Sequence, residues 1–153
     1  MDWNKIFEYH KGNLLRKYSK DPLNHVGWVN SCGYLQTEYA GKTYMVHRII
    51  WEMFNGALAR EQQIDHIDRD PLNNKIENLR VCTQSQNQIN SRTPRNNTSG
   101  YKGVLKTPSG KFQARLGFNG KKLYLGLFNS AEEAAECVKR VTKELYGEFA
   151  DSL

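Results

Sequence analysis

Cysteine is scarce and badly spaced for either of its structural uses. Cys32, Cys82 and Cys137 are an odd, widely separated set, so they make neither a disulfide framework nor the paired CxxC knuckles of a structural zinc site. Reduced, mostly buried thiols are expected. Long apolar runs are lacking too. No segment approaches the length of a membrane span, and the amino-terminal stretch MDWNKIFEYHKGN has no apolar core of the secretory type. The expected setting is a cytoplasm, with no membrane partner. Acid is the minority charge: 22 Lys and Arg face 16 Asp and Glu, a formal charge of +6. A surplus of that sign suits a polyanion such as nucleic acid, and it also favours solubility. With 153 residues, one ordinary domain or two small ones are possible.

What is present comes in two halves. From Val26, GWVNSCGYLQTEYAGKTYMV reads as strand, turn, strand, with Ala40-Gly41-Lys42 as the hairpin connection. The period then becomes helical from His47 to Asn55. Ile49, Ile50, Met53 and Phe54 share a face there, and Gly56 is placed to stop the helix. Before Val26 the pattern is weak; Trp3, Phe7 and Tyr9 can be core or can pack on the hairpin. Residues 90–99, NSRTPRNNTS, read as an extended linker. Beyond it, Tyr101 to Lys106, Lys111 to Phe118 and Lys121 to Phe128 are strand-sized, with Asn119-Gly120 as a hairpin signal. Ser130 with Glu133 forms a capping box for a helix whose apolar positions are Ala131, Ala134, Ala135, Val138, Val141 and Leu145, stopped by Gly147. A three-stranded antiparallel sheet packed on one helix is predicted.

The chemistry sits in QIDHIDRDPLNNKIENLRVCTQSQNQIN, residues 63–90. A short strand should end in Asp65-His66. A polar loop through Pro71, Asn73 and Asn74 follows, then a strand from Leu79 to Cys82. Thr83 and Gln86 then cap a helix that carries Asn87. A carboxylate can hold a hard divalent cation, and an imidazole titrating near neutrality can take a proton from water. An Asp-His pair in a loop is more often a turn residue beside a solvated histidine, so the spacing to Asn78 and Asn87 matters.

That stretch resembles the HNH endonuclease family, in the phage and intron-encoded homing subgroup whose last motif residue is Asn. His66 matches the first His, Asn78 the central Asn, Asn87 the terminal metal ligand, and Asp65 the carboxylate before the first His. The resemblance implies a ββα-metal (His-Me finger) site with His66 as general base and Asp65 and Asn87 holding one Mg²⁺ or Mn²⁺. Asn78 would brace the loop, and the products would carry a 5′-phosphate and a 3′-hydroxyl. Two oxygen ligands favour hard Mg²⁺ over Zn²⁺. Arg80 is either a phosphate clamp or an ion-paired side chain. His47 reads as a structural histidine at a helix start.

The segment from Ser99 to Ala150 resembles the AP2 DNA-binding domain. Between Tyr101 and Phe128 there are six Lys or Arg and no Asp or Glu. Matched by position, Lys102, Lys111, Arg115, Lys122 and Tyr124 would face double-stranded DNA, whereas Leu105, Thr107 and Gly117 stand where plant members commonly have Arg. Phosphate contacts should therefore outweigh base readout.

The combined expectation is an α+β chain. It places a nuclease module with a hairpin lead-in at 1–92, a linker at 93–99 and an AP2-like domain at 100–153. Its activity would be that of a site-preferring DNA endonuclease in a bacterial or phage-infected cell, nicking as a monomer or pairing transiently on DNA. The rivals are a non-catalytic AP2-type regulator, against which the intact Asp65, His66, Asn78 and Asn87 set counts, and a restriction or packaging nuclease of the same chemistry.

Overall fold

The computed structural model describes residues 1–18, 26–91, 93 and 96–150, apart from the side chain at 148. Part of the amino-terminal lead-in (19–25), residue 92 at the end of the expected nuclease module, linker residues 94 and 95, and the end of the expected carboxy-terminal domain (151–153) lie outside the described residues. Two compact units are present, Met1–Cys82 and Thr83–Leu153.

In the first unit the weakly patterned amino terminus is ordered. A single 3-10 turn at Trp3–Lys5 leads into a hairpin of β1 (Phe7–His10) and β2 (Asn13–Arg16). Lys11 and Gly12 turn it with φ of 47° and 91°, the left-handed pair that matches the twist of a tight hairpin. Trp3, Phe7 and Leu14 enter the core, and Tyr9 is half-buried. Next come β3 (Trp28–Val29), β4 (Leu35–Tyr39) and β5 (Lys42–Met45), one antiparallel sheet in the order β3-β4-β5. The short β3 is a strand more than the hairpin expected. Ala40 and Gly41 make the β4–β5 turn, both at positive φ.

Helix α1 (Val46–Asn55) buries Val46, Ile49 and Ile50, and Gly56 at φ 83° ends it by donating its N–H to Glu52 O. Phe54, expected on the inward face, is exposed. At the edge of that stripe its ring meets Tyr9 edge-on, with centroids 5.0 Å apart. The indole Nε1 of Trp3 donates to Glu52 Oε2 at 2.7 Å, which ties the amino terminus to this helix. Strands β6 (Gln63–His66) and β7 (Leu79–Cys82) pair antiparallel, with Asp65 opposite Arg80 and His66 opposite Leu79. Ile64 and Leu79 carry this pair into the core that holds Phe7, Leu14, Ile49 and Ile50.

The second unit opens with α2 (Gln84–Asn90). Thr83 accepts from Gln86 N–H and the Gln86 side chain reaches back to Thr83 N–H, a complete capping box. The units thus divide before α2, ahead of the expected linker at 93–99. Lys102 supplies the reason. Its ammonium donates to Gln88 O (2.5 Å), Ile89 O (2.7 Å) and Ser91 O (2.5 Å), closing carbonyls at the end of α2; a cation there also suits the helix dipole.

Strands β8 (Val104–Lys106), β9 (Phe112–Phe118) and β10 (Lys121–Phe128) form an antiparallel sheet in the order β10-β9-β8, with a bulge between Tyr124 and Gly126. Helix α3 (Ala131–Tyr146), capped by Ser130 accepting from Glu133 N–H, packs on it. Val104 and Ala114 meet Ala134 and Val138 in the shared core. The buried stripe of α3 runs Ala131, Ala134, Val138, Thr142, Tyr146, so Val141 is only half-buried and Leu145 is exposed, contrary to the apolar pattern. The polar members are satisfied: Thr142 donates to Val138 O at 2.7 Å and Tyr146 to Gly117 O at 2.6 Å.

Gly103 is where this packing is tightest. At φ +78° it sits so close that an added Cβ would lie 2.7 Å from Arg115 O and 3.0 Å from Val138 Cγ1, whereas Gly41 at φ +73° has nothing within 4 Å. Urea denaturation should show Gly41→Ala costing about 1 kcal/mol, the conformational strain alone, and Gly103→Ala costing clearly more because backbone must also move. Equal losses would mean that the close approach carries no energy.

Candidate active site

β6 runs into the interior, so both residues of the Asp-His pair are shielded: Asp65 and His66 are each 5% exposed. Arg80, directly across the strand pair, places Nε and Nη2 each 2.9 Å from Asp65 Oδ2. Of the two readings open for Arg80, the ion-paired one describes this geometry. The guanidinium balances a buried carboxylate, and a buried charge without such a partner is costly.

His66 is fixed by a residue to which the sequence alone assigns no role. Its Nε2 lies 3.0 Å from Oδ1 of Asn74, whose side chain is 1% exposed. An amide oxygen can only accept, so Nε2 is the donor in this contact. His47, read as structural, is also at the site. Its ring lies edge-on to His66 with centroids 5.2 Å apart, Tyr34 flanks both rings, and His47 Nδ1 is buried without a hydrogen-bond partner. Burial, then the charges of His66 and Arg48, push His47 down to about 3.

The loop between β6 and β7 is tied by Asn78. Its Nδ2 donates to Asp68 Oδ1 (2.9 Å) and to Asn73 O (2.8 Å), and its Oδ1 accepts from Asp68 N–H (3.1 Å). Asp68 in turn accepts from Asp70 N–H and Asn73 Nδ2. Burial acts to raise the Asp68 carboxyl, but the bonds from Asn73, Asp70 N–H and Asn78 outweigh it and hold it below its usual value. The repeated Asn in LNNKIEN was the available signal for Asn73 and Asn74. Cys82 is buried and its thiol is pushed up to about 12, by burial first and by Asp65 second; it is inert. Against the expectation of mostly buried thiols, Cys32 is exposed and Cys137 half-buried.

Asn87 lies on α2, in the second unit, half-buried, with its carbonyl accepting Ser91 N–H at 3.1 Å. Among the described residues no three His, Cys, Asp or Glu side chains form a metal-holding group. A divalent cation that keeps several waters needs few protein oxygens, and the buried Asp65 carboxylate is one donor of that hard kind.

On the sheet of the second unit, Arg115 and Tyr124 are register partners and both exposed, Lys122 pairs with Gly117, and Lys111 is exposed before β9. Arg115 Nη2 donates to Gln113 Oε1 at 2.5 Å. Leu105 and Leu127 are exposed too, each opposite Gln113. Lys102, grouped with this set in the sequence, instead has its ammonium on α2.

The buried neutral His47 makes stability pH-dependent. An unfolded imidazole binds a proton near its ordinary value of 6.5, whereas the folded one does so only near 3. The unfolded state therefore holds more protons between those values, and stability falls as pH falls through that window. The urea midpoint of the chain should drop from pH 6.5 toward about 4.5, and His47→Gln should flatten the decline by up to about 1.4 kcal/mol per pH unit. An unchanged slope would mean His47 takes up its proton in the folded state.

A family model described as HNH endonuclease matches residues 44–89. Protein 3.8 of Escherichia phage T7 is 35% identical over 107 residues, 68% of this chain and 86% of that protein. The uncharacterized HNH endonuclease L560 of Acanthamoeba polyphaga mimivirus is 32% identical over 124 residues, 80% of this chain and 64% of that one. The solved structure of the HNH homing endonuclease I-HmuI aligns over 94% of this chain and 85% of its own, with 21% identity and a TM-score of 0.47. On the match that spans β5 to α2 and on these sequence relatives, residues 44–89 form an HNH endonuclease domain and the chain is a phosphodiester-cleaving nuclease.

Proposed function

We propose that the chain is a site-preferring DNA endonuclease of the homing type that nicks as a monomer, with hydrolysis assisted by one Mg²⁺ or Mn²⁺. The observation that carries this reading is the buried His66–Asn74 contact, which fixes the imidazole next in the chain to the buried carboxylate of Asp65. In this reading His66 Nδ1 takes the proton of a water that attacks phosphorus. Asp65, aimed by Arg80, and Asn87, matched by the family motif, are the cation's oxygen ligands. When bound, the cation neutralises charge that develops on the phosphate oxygens, including the leaving 3′ oxygen. The products are then a 5′-phosphate and a 3′-hydroxyl. Asn78 holds the loop and does no chemistry.

The basic sheet of the second unit supplies anchoring. Lys111, Arg115 and Lys122 meet phosphates and Tyr124 lies among them, while Leu105 and Leu127 are suited to thymine methyl groups more than to guanine edges. Lys102 is left out because its charge is satisfied within the fold.

His66→Ala should abolish cleavage of phage-length double-stranded DNA in Mg²⁺ while leaving mobility-shift affinity nearly unchanged, since a base acts in the transition state. Asp65→Ala should lose activity and recover part of it at high Mn²⁺. Replacing Arg115 and Lys122 together should flatten the slope of log K against log salt by roughly two units. Wild-type cutting by the His66 variant sinks the assignment of the base. An unaltered salt slope moves the DNA surface elsewhere.

A further inference from the structure

The hairpin formed by β1 and β2 has no part in the nuclease motif, yet it touches the one loop on which His66 depends. Tyr9 on β1 turns its hydroxyl toward Ile76, whose backbone N–H donates to it at 3.2 Å. At the hairpin tip, Gly12 lies so close to the loop that a Cβ there would sit 3.0 Å from Lys75 N and 3.2 Å from Asn74 C. Asn74 is the next link, fully buried with its Oδ1 on His66 Nε2.

We propose that the amino-terminal hairpin is a positioning element of the active site, in which Tyr9 and Gly12 set the backbone of residues 74–76 and so hold Asn74 against the base His66. The physical need is plain from the loop itself. Leu72 and Ile67 face solvent at 51% and 45% exposure, so the loop's apolar anchorage falls mainly on Ile76, which packs against the core. Asn78 and Asp68 tie its early part, through Asn73. The stretch just after Asn74 is closed on itself by Asn78 N–H donating to Lys75 O at 2.9 Å and is also held from outside, by the hairpin. The Asn74 amide nitrogen is buried without a partner, so the side chain has one strong bond to keep it in place and its backbone must be set independently. The hairpin is itself firmly anchored, since Phe7 and Leu14 are 0% and 1% exposed in the core and Tyr9 stacks edge-on against Phe54 of α1. A side chain at residue 12 would push on the Asn74–Lys75 peptide, which is why glycine, already required by φ 91°, also serves the site.

The inference rests on His66 being the base, and a double-mutant cycle separates the two. Single-turnover cleavage of phage-length duplex DNA at saturating Mg²⁺ is measured for the full chain and for Tyr9→Phe, Asn74→Ala and the pair, with mobility-shift affinity and melting temperature alongside. Asn74→Ala should slow cleavage about a hundredfold, as expected for a base released from its geometry. Tyr9→Phe should slow it about fivefold, the loss of one hydrogen bond. Neither should alter DNA affinity.

In the Asn74→Ala background, Tyr9→Phe should change the rate by less than about twofold, because its effect travels through Asn74. Gly12→Ala, if it folds, should show the same non-additivity. An equal penalty from Tyr9→Phe in both backgrounds, or none in the native chain, overturns the proposal while leaving His66 as the base. Native-rate cutting by His66→Ala overturns both.

Discussion

The loop from β6 to β7 must hold His66 still while, apart from Ile76, it buries little apolar surface. Hydrophobic contacts are undirected, so a polar loop between two buried strand ends has to be built from hydrogen bonds whose geometry is specific. Asn78 and Asp68 do this by bonding each other and the intervening backbone. Once the loop is shut, Asn74 is carried inward beneath His66, and the antiparallel register of β6 with β7 sets Arg80 against Asp65. His66 and Asp65 are therefore oriented by different partners, one from the loop and one from the neighbouring strand.

Burial gives these contacts their weight. A histidine on a surface samples rotamers and both tautomers, whereas one enclosed by Asn74, His47 and Tyr34 has little choice of either. His47 is part of that enclosure because it cannot easily take a charge. A second imidazolium beside His66 would oppose any positive charge gathered there, and desolvation already keeps His47 neutral.

Most of the fold was legible in the sequence where structure is local. The Thr83–Gln86 box, the Gly56 stop and the turns at Ala40-Gly41 and Asn119-Gly120 each need only neighbouring residues, and each is found. The strand ends that carry Asp65, His66 and Arg80 were legible for the same reason. Asn74 and Lys102 were not. The partner of Asn74 is reached only after the loop closes, and a lysine in a basic stretch looks like its neighbours until its ammonium is found on three carbonyls upstream. The amino-terminal hairpin was obscure because its strands are four residues each, too short for alternation to stand out, and its burial is decided by α1 and the motif loop.

The cap that Lys102 makes on α2 has a consequence for exchanging parts between such enzymes. A recombination point placed in the Asn-rich stretch at 96–99 would look harmless, since it interrupts no strand or helix. It would nonetheless separate Lys102 from Gln88, Ile89 and Ser91, leaving an uncapped helix on one parent and a stranded cation on the other. The natural seam is Cys82–Thr83. A chimera joined there inherits Asn87 together with the basic sheet, so the donor of the second unit also dictates the residue at position 87.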